Sequence, residues 1–200
     1  MNSPIILLTF SCLFWCSNAL SIDCENPEAI NEEHIHYCCK HPDGHNDLIE
    51  RCAKETGFQL PSQTEEAMVD ITADRAIRGT CFGKCVFGSL NFIKDEQVDM
   101  EAVRKYFNSK FADDPEYAKE MINAFDHCHG KSEENTSKFL SKPIFRQMSH
   151  QFCEPKSSVV LACVIRQFFH NCPADRWSKT QECADTLAFS KKCHDSLATL

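Results

Sequence analysis

Apolar side chains recur at helical spacing through the middle of the chain. They fall every three or four residues in two successive stripes: Met100, Val103, Phe107 and Phe111, then Tyr117, Met121, Ala124, Phe125 and Cys128. Between the stripes, Asp114, Pro115 and Glu116 are the residue types preferred at a helix N-cap, first position and first turn. The pattern predicts two amphipathic helices, each with one buried face.

The stretch from Ser157 to His170 is apolar on two faces. Its stripes are Val160, Cys163, Val164 and Phe168, and then Leu161, Ile165 and Phe169. Because a helix of this kind needs neighbours on both sides, we expect it at the centre of the fold, ending before Pro173. A last amphipathic helix is predicted to begin at Ser178.

The first half of the chain carries further helical patterns. They predict helices over 27–39, 47–56, 64–78 and 81–90, whereas the polar, proline-containing stretch 131–156 is expected to be a loop. No convincing pair of β-strands is found, and 6 glycines and 8 prolines are too few for the turns of a β-sandwich. We therefore predict an all-α fold, a bundle of about six to eight helices in one domain.

The N-terminus predicts a signal peptide over residues 1–19. Residues 5–15 are almost all apolar, and Ser17 and Ala19 are the small residues typical of a cleavage site. No later stretch has the length and apolar character of a membrane span, so no membrane insertion is expected. A formal net charge of −8 argues against nucleic acid as a partner. A secreted, extracellular protein is expected.

Cysteine constrains the chemistry further. Removing the signal peptide leaves 12 of the 14 cysteines, an even number that fits six disulfides in an oxidising compartment. A zinc site typically needs two closely spaced cysteine pairs, and only Cys81 and Cys85 have that spacing. Because these two lie one turn apart on the same face of a helix, a bond between them is disfavoured.

The spacing of the cysteines resembles that of insect odorant-binding proteins. The six matching positions are Cys52, Cys81, Cys85, Cys128, Cys163 and Cys172. Cys153, the pair Cys172-Pro173, and the additional Cys183 and Cys193 resemble the Plus-C subclass of mosquitoes. The resemblance implies the bridges Cys52–Cys85, Cys81–Cys163 and Cys128–Cys172. It leaves three further bridges of open pairing among Cys24, Cys38, Cys39, Cys153, Cys183 and Cys193.

The resemblance also implies a function. Residues 46–175 would form a helical core around an apolar cavity, with cysteine-containing extensions at 20–45 and 176–200. The expected activity is to carry small hydrophobic molecules, odorants or pheromones, through sensillar lymph to receptors. Inward-facing positions give the candidate ligand-binding residues: Phe82, Val86, Phe87, Val103, Phe107, Met121, Phe125, Val160, Val164 and Phe168. Odorant receptors, other odorant-binding proteins and a second copy of the chain, as a homodimer, are the further expected partners.

The apolar stripes alone leave a second interpretation open. The same residues line cavities and fill solid cores, so the alternative is a disulfide scaffold with a filled interior that acts as an extracellular interaction partner. Motifs for acyl transfer or zinc proteolysis are not found. We therefore expect no enzymatic activity, no cofactor and no metal.

Two smaller features carry hypotheses. Asn135 opens the only glycosylation sequon after the signal peptide and is a candidate for modification. The nine histidines are expected to be mostly solvated, but His127, His129 and His170 carry the hypothesis that acidification from pH 7 to 5 weakens ligand binding.

Overall fold

The computed structural model describes residues 24, 35–42, 47–60, 73–141 and 152–193. These residues form eight helices: α1 (Ile35–Cys38), α2 (Asp47–Thr56), α3 (Ala73–Ser89), α4 (Met100–Lys110), α5 (Pro115–Gly130), α6 (Ser132–Ser141), α7 (Lys156–His170) and α8 (Gln181–Lys192). One short antiparallel hairpin joins α3 to α4, with strands β1 (Ile93–Lys94) and β2 (Gln97–Val98). The fold is all-α, as predicted. The predicted signal peptide lies outside the described residues.

Local signals place several helix ends where the sequence predicted them. The Asp114 side chain accepts a hydrogen bond from the backbone N–H of Tyr117 at 3.2 Å, and Pro115 takes the first helical position of α5. Helix α2 ends at Thr56, and Gly57 follows with a φ of +68°, a conformation that favours glycine. Helix α8 begins three residues later than predicted, because Thr180 rather than Ser178 caps it.

Two predictions about irregular segments are wrong. Residues 132–141 form α6 instead of a loop, because Ser132 and Phe139, two turns apart, are both buried and Lys138 pairs with Glu134 at 2.7 Å. The sequon at Asn135 therefore lies within a helix. The hairpin was not predicted because its turn lacks glycine. Asp95 and Glu96 adopt the positive φ angles of 52° and 62° that a two-residue hairpin turn requires.

Helix α7 is the centre of the bundle. It packs against α1, α3, α5, α6 and α8. Val160, Val164, Phe168 and Phe169 are all buried. Leu161 and Ile165 of the second face are partly buried and pack against the same core. Both apolar faces therefore have neighbours, which confirms the predicted central position.

Helices α3 and α7 approach each other backbone to backbone. A Cβ atom at Gly83 would lie 2.5 Å from the Cα atom of Ser158 and 2.6 Å from its backbone nitrogen. Only glycine leaves room for this approach. The contact fixes the distance between the two helices that carry six of the ten candidate ligand-binding residues.

Six disulfides cross-link all twelve cysteines after the predicted signal peptide: Cys24–Cys193, Cys38–Cys183, Cys39–Cys172, Cys52–Cys85, Cys81–Cys153 and Cys128–Cys163. The expected bridge Cys52–Cys85 is present and joins α2 to α3. The first three bridges join segment 24–39 to segment 172–193. The two ends of the described chain are therefore held together covalently.

The expected pairing Cys81–Cys163 is wrong. Cys81 bonds to Cys153, which precedes α7. The backbone N–H of Cys153 donates to the hydroxyl of Thr80 at 3.2 Å, so the two cysteines are neighbours. Cys163 lies further along, inside α7 and about 10 Å along the helix from its first residue, Lys156. It is therefore too far from Cys81.

The expected pairing Cys128–Cys172 is also wrong, because α5 and α7 run in opposite directions. Tyr117 near the start of α5 contacts Phe168 near the end of α7, and Cys128 near the end of α5 bonds to Cys163. Cys172 follows α7 and so lies near the start of α5, about 16 Å from Cys128 along that helix. There it bonds to Cys39. The six cysteines left open by the resemblance consequently do not pair only among themselves.

Candidate functional site

The ten candidate ligand-binding residues lie together in one buried apolar cluster. They come from α3 (Phe82, Val86, Phe87), α4 (Val103, Phe107), α5 (Met121, Phe125) and α7 (Val160, Val164, Phe168), and each is at most 8% exposed. Every one of the four helices contributes the face that its apolar periodicity marked as buried. Contact of these residues with a ligand remains a prediction.

Aromatic rings run through this cluster as a continuous series, here called the aromatic row. Successive ring centroids lie 4.8–5.9 Å apart, in the order Phe87, Phe125, Phe107, Phe111, Tyr117 and Phe168. Offset and edge-to-face pairs at such distances are favourable beyond the area they bury. The row leads from Phe87 near the end of α3 to Phe168 near the end of α7.

Phe92 belongs to the same cluster and was missed by the sequence analysis. It is 1% exposed, and its ring contacts those of Phe87, Tyr106, Phe107 and Phe125. It lies in the connection between α3 and β1, where helical periodicity gives no signal. The one indication in the sequence that Phe92 is buried was its apolar aromatic side chain, shortly after a predicted helix.

A polar group closes one end of the aromatic row. The Tyr117 ring is buried, and its hydroxyl is hydrogen-bonded to Nδ1 of His41 at 2.9 Å. The Arg176 guanidinium lies 5.2 Å from the centre of the Tyr117 ring and forms an ion pair with Asp114. Burial raises the pKa of Tyr117 well above its ordinary value, and the nearby Arg176 opposes this shift only in part. The phenol is therefore neutral at physiological pH.

The segment that contains His41 is fixed to the C-terminal part of the chain. Cys39 bonds to Cys172. The backbone N–H of Lys40 donates to the Arg176 carbonyl at 3.0 Å, and the N–H of Ser178 donates to the Cys38 carbonyl at 2.8 Å. Together these bonds hold segment 38–41 over the start of α5 and the end of α7.

A polar surface depression, separate from the buried apolar cluster, lies between α5 and α7. It has a volume of about 190 Å³ and is lined by Glu120, Asn123, Ala124, Gln167 and Asn171. The Asn171 side chain donates to the Gln167 carbonyl at 2.9 Å. Its lining is too polar to favour an apolar ligand.

The three histidines of the pH hypothesis occupy different environments. His127 is exposed. His129 is partly buried, and its Nδ1 atom has no hydrogen-bond partner among the described residues. His170 contacts the Ser190 hydroxyl through Nε2 at 2.8 Å, which links α7 to α8. The hypothesis of weaker binding at low pH stays a prediction.

Residues 35–42, 47–60, 73–141 and 152–193 contain no group of three or more histidine, cysteine or carboxylate side chains placed to hold a metal ion. In these same ranges, none of the helices combines the length and the hydropathy that crossing a bilayer requires.

Comparison with known proteins identifies the family. A family model described as AgamOBP47-like matches residues 44–189, which include α2 to α7 and most of α8. The chain belongs to the insect odorant-binding proteins. This family is non-enzymatic, and the cysteine spacing is consistent with its Plus-C subclass.

Two relatives come from Anopheles gambiae. Odorant-binding protein 47 is 30% identical over 122 residues, which cover 58% of this chain and 52% of that protein. General odorant-binding protein 68 is 24% identical over 180 residues, which cover 88% of this chain and 78% of that protein. The match thus spans about half the length of odorant-binding protein 47. No solved structure matches this odorant-binding protein.

Proposed function

We propose that this odorant-binding protein is a secreted carrier of small hydrophobic molecules, which takes up odorants or pheromones in sensillar lymph and delivers them to receptors. The observation that carries the proposal is that all ten candidate residues, from four helices, lie within one buried apolar cluster. Such a cluster, enclosed by a disulfide-linked bundle in an odorant-binding protein, fits the chemistry of an apolar ligand. Transport needs no catalytic group.

The energetics of such binding follow from apolar burial. A ligand that removes about 300 Å² of apolar surface from water gains roughly 7 kcal/mol before the costs of association. Because the costs of association reduce this gain, we expect binding that is micromolar at its tightest, and exchangeable. It suits a carrier that has to release its cargo.

The proposal includes an organisation of the chain. Residues 1–19 serve as a signal peptide, residues 46–175 form the ligand-binding core, and residues 20–45 and 176–200 are extensions. The disulfides Cys24–Cys193 and Cys38–Cys183 join the two extensions to each other, and Cys39–Cys172 joins the first to the core. Asn135 is the proposed site of any N-linked glycan.

We also propose that the extensions provide a surface for a homodimer or for another odorant-binding protein. Light scattering of the oxidised protein across micromolar concentrations tests this. A mass that rises towards twice the monomer supports the homodimer, and a monomer at every concentration contradicts the homodimer.

A second candidate function has its own observation. The rings of Phe87, Phe92, Phe107 and Phe125 contact one another across the interior, which is the packing of a filled core. This favours the scaffold with a filled interior that acts as an extracellular interaction partner. Ligand uptake separates the two functions.

The test is a titration with the fluorescent apolar probe N-phenyl-1-naphthylamine. The carrier function predicts saturable uptake at one site and displacement by long-chain alcohols. Met121→Ala, in the core, is expected to weaken probe binding by about five-fold, the equivalent of about 1 kcal/mol of lost apolar contact. Leu140→Ala is the matched control, because Leu140 is 42% exposed on α6. No uptake by folded, monodisperse protein would contradict the carrier and support the scaffold.

A further inference from the structure

The side chain of His41 is held as a small heteroaromatic ligand would be. Its imidazole stacks on Phe168, with ring centroids 4.9 Å apart and planes inclined by 28°. It meets the Tyr117 ring edge-on at 5.8 Å, and Nδ1 lies 2.9 Å from the Tyr117 hydroxyl. One stacked face, one edge contact and one directed hydrogen bond define both the plane and the polar end of the bound ring.

The surface beneath His41 is buried, whereas His41 itself is exposed. Tyr117 is 5% and Phe168 is 2% exposed. The backbone before His41 is held by the Cys39 disulfide and by the hydrogen bond from Lys40. The imidazole can therefore leave by rotation about its own side-chain bonds while that backbone stays in place. Its departure uncovers an aromatic surface with one hydroxyl, formed by Tyr117 and Phe168 and here called the Tyr117 shelf.

The charges beside the shelf favour a neutral ligand. Arg176 lies over the Tyr117 ring, and its positive charge is balanced by the ion pair with Asp114. A positively charged ligand would therefore be repelled by Arg176, and a negatively charged ligand would be repelled by Asp114. The Tyr117 phenol is neutral and can donate or accept one hydrogen bond.

We propose that the Tyr117 shelf is a binding subsite for a small, neutral aromatic ring with one hydrogen-bonding atom, and that His41 occupies it when no ligand is bound. The inference rests on the proposed carrier function and names the ligand class for one end of the site. Tyr117 contacts Phe111, which stacks on Phe107 inside the core. The subsite therefore continues into the aromatic row.

The first test compares two ligands of nearly equal size, 4-methylphenol and toluene, which differ by one hydroxyl group. Binding is followed by NMR through the His41 ring signals and through backbone signals near Phe168. Tyr117→Phe removes the hydrogen bond to 4-methylphenol and also the bond to His41 that either ligand must displace. It is therefore expected to lower the affinity for 4-methylphenol relative to that for toluene by about five-fold, the effect of one hydrogen bond. Tyr106→Phe is the matched control, because Tyr106 is partly buried and its ring contacts Phe107 of the aromatic row; it is expected to change neither affinity.

The second test removes the occupant. His41→Ala is expected to strengthen the binding of both ligands by at least about five-fold, because no side chain then has to be displaced. An equal change for both ligands in Tyr117→Phe, the same change in their relative affinity in Tyr106→Phe, or no gain in His41→Ala would overturn the inference.

Uptake of N-phenyl-1-naphthylamine by the same samples keeps the two proposals separate. If probe uptake is normal and Tyr117→Phe does not weaken 4-methylphenol binding relative to toluene binding, the subsite is contradicted and the carrier function is not. Absent probe uptake in the wild type together with Tyr117-dependent binding of 4-methylphenol contradicts the carrier function and supports the subsite as an isolated surface site.

Discussion

Replacing Gly83 by alanine perturbs a close backbone contact between α3 and α7. The added Cβ would lie 2.5 Å from the Ser158 Cα atom, about 0.9 Å closer than the 3.4 Å at which ordinary van der Waals contact begins. Its neighbours are backbone atoms, which cannot rotate away as a side chain can. Helices α3 and α7 must therefore separate by about 1 Å at a crossing that lies within the core.

We expect Gly83→Ala to lower the free energy of unfolding by about 3 kcal/mol, the upper part of the range for overpacked cores. For a chain of this length the thermal midpoint then falls by about 6–12 °C. Gly88→Ala is the matched control on the same helix, because a Cβ at Gly88 meets no atom within 4 Å. It is expected to raise the midpoint by about 2 °C, since alanine favours a helix over glycine by up to about 1 kcal/mol.

The assay is thermal unfolding of the oxidised proteins, followed by circular dichroism at 222 nm and repeated in guanidinium chloride. Equal midpoints for the two variants, or a Gly83→Ala protein as stable as the wild type, would refute the packing of α3 on α7 through Gly83.

Three further variants test the core, the cross-links and the surface. Phe92→Ala should cost about 3–5 kcal/mol of unfolding free energy in the same assay, because the ring is 1% exposed among four other rings. Replacing both cysteines of the Cys81 bridge by alanine should lower the thermal midpoint more than doing so for the Cys193 bridge. The Cys81–Cys153 bridge holds α3, which is part of the main cluster, to the residues just before α7. The Cys24–Cys193 bridge lies in a small separate cluster. Glu133→Gln should reduce stability at pH 7, and this effect should shrink as the pH falls below about 4.3. The hydrogen bond from Lys156 lowers the pKa of Glu133, so its contribution is present above about pH 4.3 and lost as the pH falls through that lowered pKa.

For each of these variants, one result would contradict the physical explanation of its expected effect. A loss below about 1 kcal/mol in Phe92→Ala would place that ring outside the packed core. Equal midpoints for the two disulfide variants would make the C-terminal segment part of the core. A Glu133→Gln effect of the same size at pH 3 and pH 7 would exclude an electrostatic origin.

Local signals predicted the elements whose ends they determine. Asp114 and Pro115 specify the start of α5 through a side-chain cap and a fixed φ angle, both of which depend on adjacent residues only. The two apolar faces of α7 likewise predicted its central position, since burial on both sides follows from the sequence of one helix. Predictions of this kind need no knowledge of the tertiary structure.

Features that depend on contacts between distant residues could not be predicted in this way. The partner of Cys172 is decided by the opposite directions of α5 and α7, which place it beside Cys39. The turn at Asp95 and Glu96 carries no glycine to mark it. The ten buried candidate residues were found by periodicity, but the Tyr117 shelf joins His41 to a helix 76 positions away in the sequence, and no local pattern indicates such a contact.

The central claim is that the buried apolar cluster takes up a hydrophobic molecule. NMR spectra of protein labelled at valine, leucine and methionine methyl groups measure this directly during a titration with a long-chain alcohol. The account predicts saturable shifts, at one ligand per chain, for the methyl groups of Met121, Val103, Val160 and Val164, and none for the exposed Leu140. Shifts confined to surface methyl groups, or no saturable shift in folded protein, would contradict it.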